Sequence, residues 1–251
     1  MLRISYVGHA TLLIEVGGVR LLTDPVLRGR VGHLRRRADD HDPDHVESVD
    51  AVLVSHAHHD HLDVPSLRTL SGSPRVLCPA PAAGPVRKAG LDPEVVSAGG
   101  HVELGDVAVD VTDADHDGRR WPLPGRNREA VGFVVREEGE PSVYFAGDTG
   151  TEADFGAIGP VGVALIPVAG WGPKLGPGHI GPEEAAEAIA ALRAEVAVPI
   201  HWGTYERLLM RTTDRADPAH RFAERVRELA PASRVELLQP GESLELGAGS
   251  A

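Results

Sequence analysis

The sequence predicts a single α/β domain in which two β-sheets pack together and helices cover the outside. Two observations carry this. Along the chain the order of elements runs strands, helices, strands, helices, and each type must bury an apolar face against another layer. The length of 251 residues suits one domain spanning 1–251, with roughly 70 to 75% of the unfolded surface buried. No short repeat, low-complexity tract or long linker interrupts it.

Strands are expected first, over Leu2–Val7, Thr11–Val16 and Val19–Thr23, with Gly17-Gly18 making a tight hairpin turn. "DAVLV", Asp50–Val54, is a short apolar run of the kind that forms a buried strand. Pro65 begins a short helix through Leu70, Arg75–Pro79 reads as a strand, and a helix follows near Pro81–Ala89. Strands return at His101–Leu104, Val107–Thr112, Val131–Arg136 and Ser142–Ala146, then a short helix at Glu152–Ile158 and a strand at Val163–Val168. Pro182 suits a helix's first position and Glu183 and Glu184 its positive end, while Ala185, Ile189 and Leu192 recur at helical spacing. A last helix starts at Asp217-Pro218 with Phe222, Val226 and Leu229 on one face, and a strand at Val235–Leu238 closes the chain. The Gly/Pro-rich stretch "WGPKLGPGHIGP", Trp171–Pro182, reads as a loop beside a site.

Composition narrows the function classes. The single cysteine, Cys78, excludes an intramolecular disulfide and fits a reducing cytoplasm, the expected compartment. The start "MLRISYVGHATLLIEV" has no pattern of an export signal, and no apolar run reaches membrane-spanning length. A formal charge of −12 argues against nucleic acid as a partner, because phosphate contacts need a basic face. Arg28, Arg30, Arg35, Arg36 and Arg37 nevertheless form a local basic cluster. It is either an ordinary solvated loop or a clamp on an anionic substrate, which arginine's fork suits.

"VSHAHHDHLD", Val54–Asp63, is the densest signal. It places His56, His58, His59 and His61 within six positions, where thirteen histidines in 251 residues would put about 0.3. His-rich surface tracts exist, so position matters more than enrichment. These histidines begin where an apolar strand ends, and strand ends are where ligand crevices form in α/β sheets.

His56, His58, Asp60 and His61 fit the pattern H-x-H-x-D-H, which resembles the metallo-β-lactamase superfamily and its αββα sandwich fold. His116 in "DADHDGRR", Asp148 in "YFAGDTG" and His201 in "VPIHWGTY" follow in the order that superfamily uses. "VGHATLLIE", "LLTDPVL", "HIGPEEA" and "PIHWGTY" are similar to the branch containing N-acyl-phosphatidylethanolamine phospholipase D and the ascorbate-6-phosphate lactonases. Asp117 and Gly118 stand where that branch commonly carries an aromatic residue. The phospholipase also has a long N-terminal extension, whereas this chain starts at its first strand, so membrane phospholipids are expected to be poorer substrates.

The resemblance implies a four-layer, metal-dependent hydrolase with two divalent ions, zinc foremost and manganese or iron as alternatives. His56, His58 and His116 would hold the first ion, Asp60, His61 and His201 the second, and Asp148 would bridge them. Imidazoles and carboxylates suit zinc, and hydrolysis needs a coordination position left for water. Two ions ~3.5 to 4 Å apart lower the pKa of a shared water toward ~7, and Asp60 could orient the resulting hydroxide.

Four further residues are expected to support the centre. Asp24, in "LLTDP", would accept a hydrogen bond from a ligand histidine and fix its tautomer, with the same outer role open to His9 and Thr149. His179, in the "HIGPEEA" segment, would stabilise the oxyanion or protonate the leaving group, since imidazole titrates near ~6.5. His59 occupies the variable position of the motif, while His33, His41, His45, His101 and His220 have no site-like neighbours.

The expected substrate is a small, anionic ester, lactone or phosphodiester, without stable membrane association and with a homo-oligomer allowed. A diiron redox protein on the same fold is the competing class; such relatives usually replace a histidine of the first site by glutamate, and this chain has His58 there. A nuclease is the third option, disfavoured by the acidic balance.

Overall fold

The computed structural model describes residues 1–38, 46–120, 128–169, 175–207 and 217–247. His41 and His45, and Trp171 to Lys174 of the Gly/Pro-rich stretch, lie outside these residues.

The first half contains β1 (Leu2–Gly8), β2 (Thr11–Val16), β3 (Val19–Thr23), the short β4 (Arg30–Val31) and β5 (Leu34–Arg36), β6 (Ala51–Leu53), α1 (Val64–Leu67), β7 (Arg75–Cys78), α2 (Ala83–Ala89) and β8 (Pro93–Val95). The second half contains β9 (His101–Leu104), β10 (Val107–Asp113), β11 (Val131–Arg136), β12 (Val143–Phe145), α3 (Phe155–Ile158), β13 (Val163–Pro167), α4 (Pro182–Leu192), β14 (Val196–Ile200), β15 (Tyr205–Arg207), α5 (Asp217–Leu229), β16 (Arg234–Val235) and β17 (Ser243–Leu246). Two seven-stranded sheets result, ordered β17-β1-β2-β3-β6-β7-β8 and β16-β14-β13-β12-β11-β10-β9, beside a three-stranded sheet β15-β5-β4.

The alternation of apolar side chains along the strands builds the layers, because successive side chains point to opposite faces. Ala51 and Leu53 of β6, Val143 and Phe145 of β12, and Val163 and Leu165 of β13 enter one core between the two large sheets. Their alternates Tyr144, Ala164 and Ile166 pack against Phe155 of α3, Ala185 and Ile189 of α4 and Phe222 of α5. Val52 and Val76 pack instead with Leu67 of α1 and Val86 of α2. The layers are therefore helix, sheet, sheet, helix, as expected.

Each large sheet is antiparallel over its hairpin strands and parallel where helices return the chain. β3, β6, β7 and β8 pair in parallel, and so do β12, β13, β14 and β16. This shared plan has no matching sequence repeat. Among the described residues no helix is long and apolar enough to cross a membrane.

Several boundaries differ from the expectation. The final strand is β17, which pairs Leu246 with Leu2 of β1, while the predicted strand at Val235–Leu238 shrinks to Arg234–Val235. The helix predicted from Glu152 begins at Phe155, because the Asp154 side chain accepts the Ala157 N–H and caps it there. The helix expected from Pro81 opens as a 3-10 turn over Ala80–Ala82 before α2.

Candidate metal centre

Every candidate ligand follows the carboxyl end of a strand. His9 follows β1, Asp24 follows β3, His56 to His61 follow β6, His116 follows β10, Asp148 follows β12 and His201 follows β14. Antiparallel neighbours alternate in direction, so these ends meet at one rim of the two sheets. Three of the five non-glycine residues with positive φ among the described residues lie here: His9 (62°), Asp24 (31°) and His201 (64°). Left-handed backbone is costly for residues with a side chain and persists where the surrounding structure demands it.

The side chains form two groups that share a boundary. His56, His58, His116 and Asp148 make one, and His9, Asp60, His61 and His201 the other, with ligand-capable atoms within 4.8 Å of one another in each. Asp148 faces both: its Oδ2 lies 3.2 Å from His61 Nε2 and 3.9 Å from His56 Nε2, and its Oδ1 lies 3.4 Å from His201 Nε2.

Outer partners fix which ring nitrogen is offered. Asp24 accepts the Ser55 N–H at 2.7 Å, the Ser55 hydroxyl at 2.5 Å and His61 Nδ1–H at 2.7 Å. Because the Ser55 hydroxyl proton goes to Asp24, its oxygen accepts His56 Nδ1–H at 2.9 Å. The Gly178 carbonyl accepts His116 Nδ1–H at 2.7 Å. These bonds leave lone pairs on Nε2 of His56 and His116, and both point at His58 Nδ1, at 3.0 and 3.1 Å. One His58 proton cannot satisfy both lone pairs. A cation can, since donors bound at ~2.0 to 2.1 Å in a tetrahedron sit about 3.3 Å apart.

The electrostatics point the same way. Burial, reinforced by neighbouring histidines, holds His56 well below the usual imidazole range, His58 near about 4 and His9 near about 3, which keeps them as neutral donors. Burial penalises the carboxylates, yet the surrounding histidines outweigh it and keep Asp60 and Asp148 well below the usual carboxyl range. Burial likewise opposes charge on His61, but Asp148 and Asp24 prevail and hold it well above. Burial alone pushes the Asp24 carboxyl up, but with three donors it is the acceptor of the pair, and the proton stays on His61. The imidazole between these carboxylates demands positive charge, which a cation at Nε2 supplies as a proton does. His61 Nε2 and Asp148 Oδ1, both buried, make no hydrogen bond among the described residues. The donor set fits divalent ions.

The expected supporting residues are all at the centre. His179 Nε2 lies 3.3 Å from Asp148 Oδ2, and its ring stands edge-on to His116 with centroids 4.8 Å apart. Burial lowers its pKa, but the Asp148 carboxylate outweighs that and raises it. Thr149 Oγ1 accepts the Asp115 N–H at 3.2 Å, steadying the residue before His116. Gly178 sits at φ +74° with no room for a Cβ, which would come 3.0 Å from His116 Nδ1. His9 stands closer than the outer role expected of it, inside the second group.

Of the two readings open for the arginine cluster, the contacts favour ordinary loop and surface pairing over an anion clamp. Arg28 grips Asp63 through two hydrogen bonds of 2.8 and 2.7 Å, Arg37 pairs with Glu206 at 3.1 Å, and Arg36 is buried, donating to the Val7 carbonyl at 2.7 Å. Arg119 forks onto Asp117 at 2.7 and 2.6 Å. Arg30 and Arg35 face each other across β4 and β5 and are exposed. His101, also exposed, pairs with Asp110 and Glu103 on an outer strand, away from the centre.

Arg120 has a role the sequence did not reveal. Its guanidinium donates to the carbonyls of Ala57 at 3.0 Å and Leu62 at 2.8 Å, and to His59 Nδ1 at 2.9 Å. It braces both ends of the turn carrying His58, Asp60 and His61, while the Gly118 carbonyl accepts the Ala57 N–H at 3.0 Å. Arg120→Ala is expected to cost about 1 to 3 kcal/mol of stability, since two part-buried acceptors lose their donor. Chemical denaturation checks this; an unchanged unfolding midpoint would contradict the brace.

Comparison with known proteins agrees with this geometry. The model of the beta-lactamase superfamily domain matches residues 19–202, a span that holds every candidate ligand except His9. A protein of Methanopyrus kandleri named as a UPF0173 metal-dependent hydrolase is 34% identical over 97% of this chain and 100% of its own length. Among solved structures, Igni18, a metallo hydrolase from Ignicoccus hospitalis, is similar with a TM-score of 0.74 and 25% identity, covering 98% of this chain and 99% of that one. CmlA, a diiron beta-hydroxylase from Streptomyces venezuelae, has the same fold with a TM-score of 0.74 and 22% identity over 98% of this chain and 54% of its own.

Proposed function

The chain belongs to the beta-lactamase superfamily, and on that premise we propose that it is a metal-dependent hydrolase with two divalent ions, zinc foremost, cleaving an ester, lactone or phosphodiester of a small anionic substrate. The observation that carries this reading is the Asp148 carboxylate facing His56 and His61 through one oxygen and His201 through the other. His56, His58 and His116 fit the first ion and Asp60, His61 and His201 the second, with Asp148 shared.

Ions held there would lower the pKa of a water toward neutrality and polarise the bond to be cleaved. The chain's own residues do the rest. Asp60 would orient the attacking oxygen. His179, partly exposed where His56, His61 and His201 are buried, would donate a proton to the leaving group. Asp24, Ser55 and the Gly178 carbonyl hold the ligand rings in one tautomer, which preorganises the site.

Two carboxylates against two divalent charges leave the centre positive, which supports an anionic substrate even though most of the arginines are engaged elsewhere. A diiron redox role is the competing reading; the three-imidazole first group supports hydrolysis over it. Chelation of the purified protein, followed by assay on a panel of esters, lactones and phosphodiesters, tests the proposal. Hydrolysis should vanish with the metal and return on adding zinc or manganese, whereas hydrolysis surviving complete metal removal would refute it.

A further inference from the structure

We propose that His9 is itself a ligand of the second ion, so that His9, Asp60, His61 and His201 act together with Asp148 as its donors. The inference rests on the dinuclear reading above and extends it to a residue outside the matched superfamily span.

Position is the first argument. Asp60 Oδ2 has three imidazole nitrogens around it: His9 Nε2 at 3.5 Å, His201 Nε2 at 3.8 Å and His61 Nε2 at 4.0 Å. All three distances fall inside the about 4.2 Å that separates the most distant pair of donors bound to one ion at ~2.1 Å. His9 is the nearest of the three. Its ring lies 4.0 Å from that of His201 and 5.4 Å from that of His61, centroid to centroid. The spacing is that of donors arranged about a shared centre.

Backbone construction is the second argument. His9 and His201 both take left-handed conformations, and the His9 carbonyl accepts the His201 N–H at 2.8 Å. The His9 N–H donates to Thr204 Oγ1 at 2.7 Å, and the Tyr6 hydroxyl donates to the His9 carbonyl at 3.2 Å. Gly8 precedes it at φ +132°, where an added Cβ would meet Thr204 Cγ2 at 2.8 Å. A side chain that merely filled space would not require the residue after β1 to be held in a left-handed conformation and locked to the loop that carries His201. The fold uses that strain to aim two imidazoles at one point.

The chemistry has a consequence for metal choice. Three imidazoles and two carboxylates exceed the four donors of a tetrahedral zinc site and leave one position of an octahedron. The second position therefore favours manganese or iron relative to the first, whose three histidines and one carboxylate suit zinc.

The test is a metal titration of the full chain against a competing chelator, with His116→Ala identifying the step that belongs to the first ion. His9→Gln keeps an amide that can still reach Asp60, and His9→Asn tolerates the left-handed backbone. Both variants should bind the first ion within a few-fold of the parent and the second on the order of 10³-fold more weakly or worse, beyond the about 10- to 100-fold typical of losing an outer partner. The metal-free melting temperature of His9→Asn should match the parent's. Second-ion affinity in His9→Gln within about 100-fold of the parent's would overturn the inference and reduce His9 to an outer hydrogen-bond partner of Asp60. Equal weakening of both ions would overturn it in favour of a general structural role. A parent chain that binds one ion would instead remove the dinuclear reading, and this inference with it.

Discussion

Asp148→Asn is expected to abolish tight binding of both ions and to lower kcat/KM on the order of 10³-fold or more, beyond the 10 to 100-fold typical of losing an outer partner. Asparagine keeps the volume and removes the charge. Asp148 is buried and meets His56, His61 and His179 through Oδ2 and His201 through Oδ1. A neutral amide offers one weak oxygen donor and turns its NH2 toward imidazoles whose lone pairs it cannot bridge. Both ligand groups then lose the shared donor and half of the centre's carboxylate charge. Parallel metal analysis and steady-state kinetics check this, with circular dichroism of the metal-free protein as the control for folding. A folded Asp148→Asn protein that keeps two ions and parental turnover would remove the bridging role.

His179→Ala is expected to keep both ions and the fold while losing on the order of 10²-fold or more in kcat, the scale of a positioned acid or base. His179 is 22% exposed where Asp148 is 3% exposed, so it lies on the open side of the centre. Its Nδ1–H donates to the Pro177 carbonyl at 3.2 Å, which directs Nε2 to Asp148 Oδ2. A partly exposed imidazole in this position is suited to give a proton to a leaving group. Unchanged kcat would show that it only packs there. Loss of an ion in the same variant would make it a ligand instead.

The sequence revealed what depends on side-chain chemistry following a strand. His56, His58, Asp60, His61, His116, Asp148 and His201 all come together, as do Asp24 and Thr149, because strand ends deliver them to one rim, and His179 joins them from the loop before α4. His9 was legible as a nearby residue but not as a member of the second group. Its placement depends on left-handed backbone at residue 9 and on a hydrogen bond to His201, neither of which leaves a local pattern. The arginines stayed ambiguous for a related reason. Their type allowed an anion clamp as well as a plain loop, and Asp63, Glu206 and Asp117 engage Arg28, Arg37 and Arg119, two of those partners being remote in sequence. The bracing role of Arg120 left no sequence signal because its acceptors are mostly backbone carbonyls. In the fold, β17 was missed because four residues after a turn carry too little alternation, and its pairing with β1 supplies the stability. β4 and β5 were hidden by their arginines: Arg30 and Arg35 are exposed on one face of the pleat, while Arg36 is buried and Val31 and Leu34 pack inward with Val26 and Tyr205.

The most direct measurement is the metal content of gently purified protein, set against its hydrolytic activity. Elemental analysis should approach two equivalents of divalent metal per chain, and His116→Ala should deplete chiefly one of them. A fully active protein that persistently holds no metal, or one whose activity saturates at a single equivalent, would contradict the account.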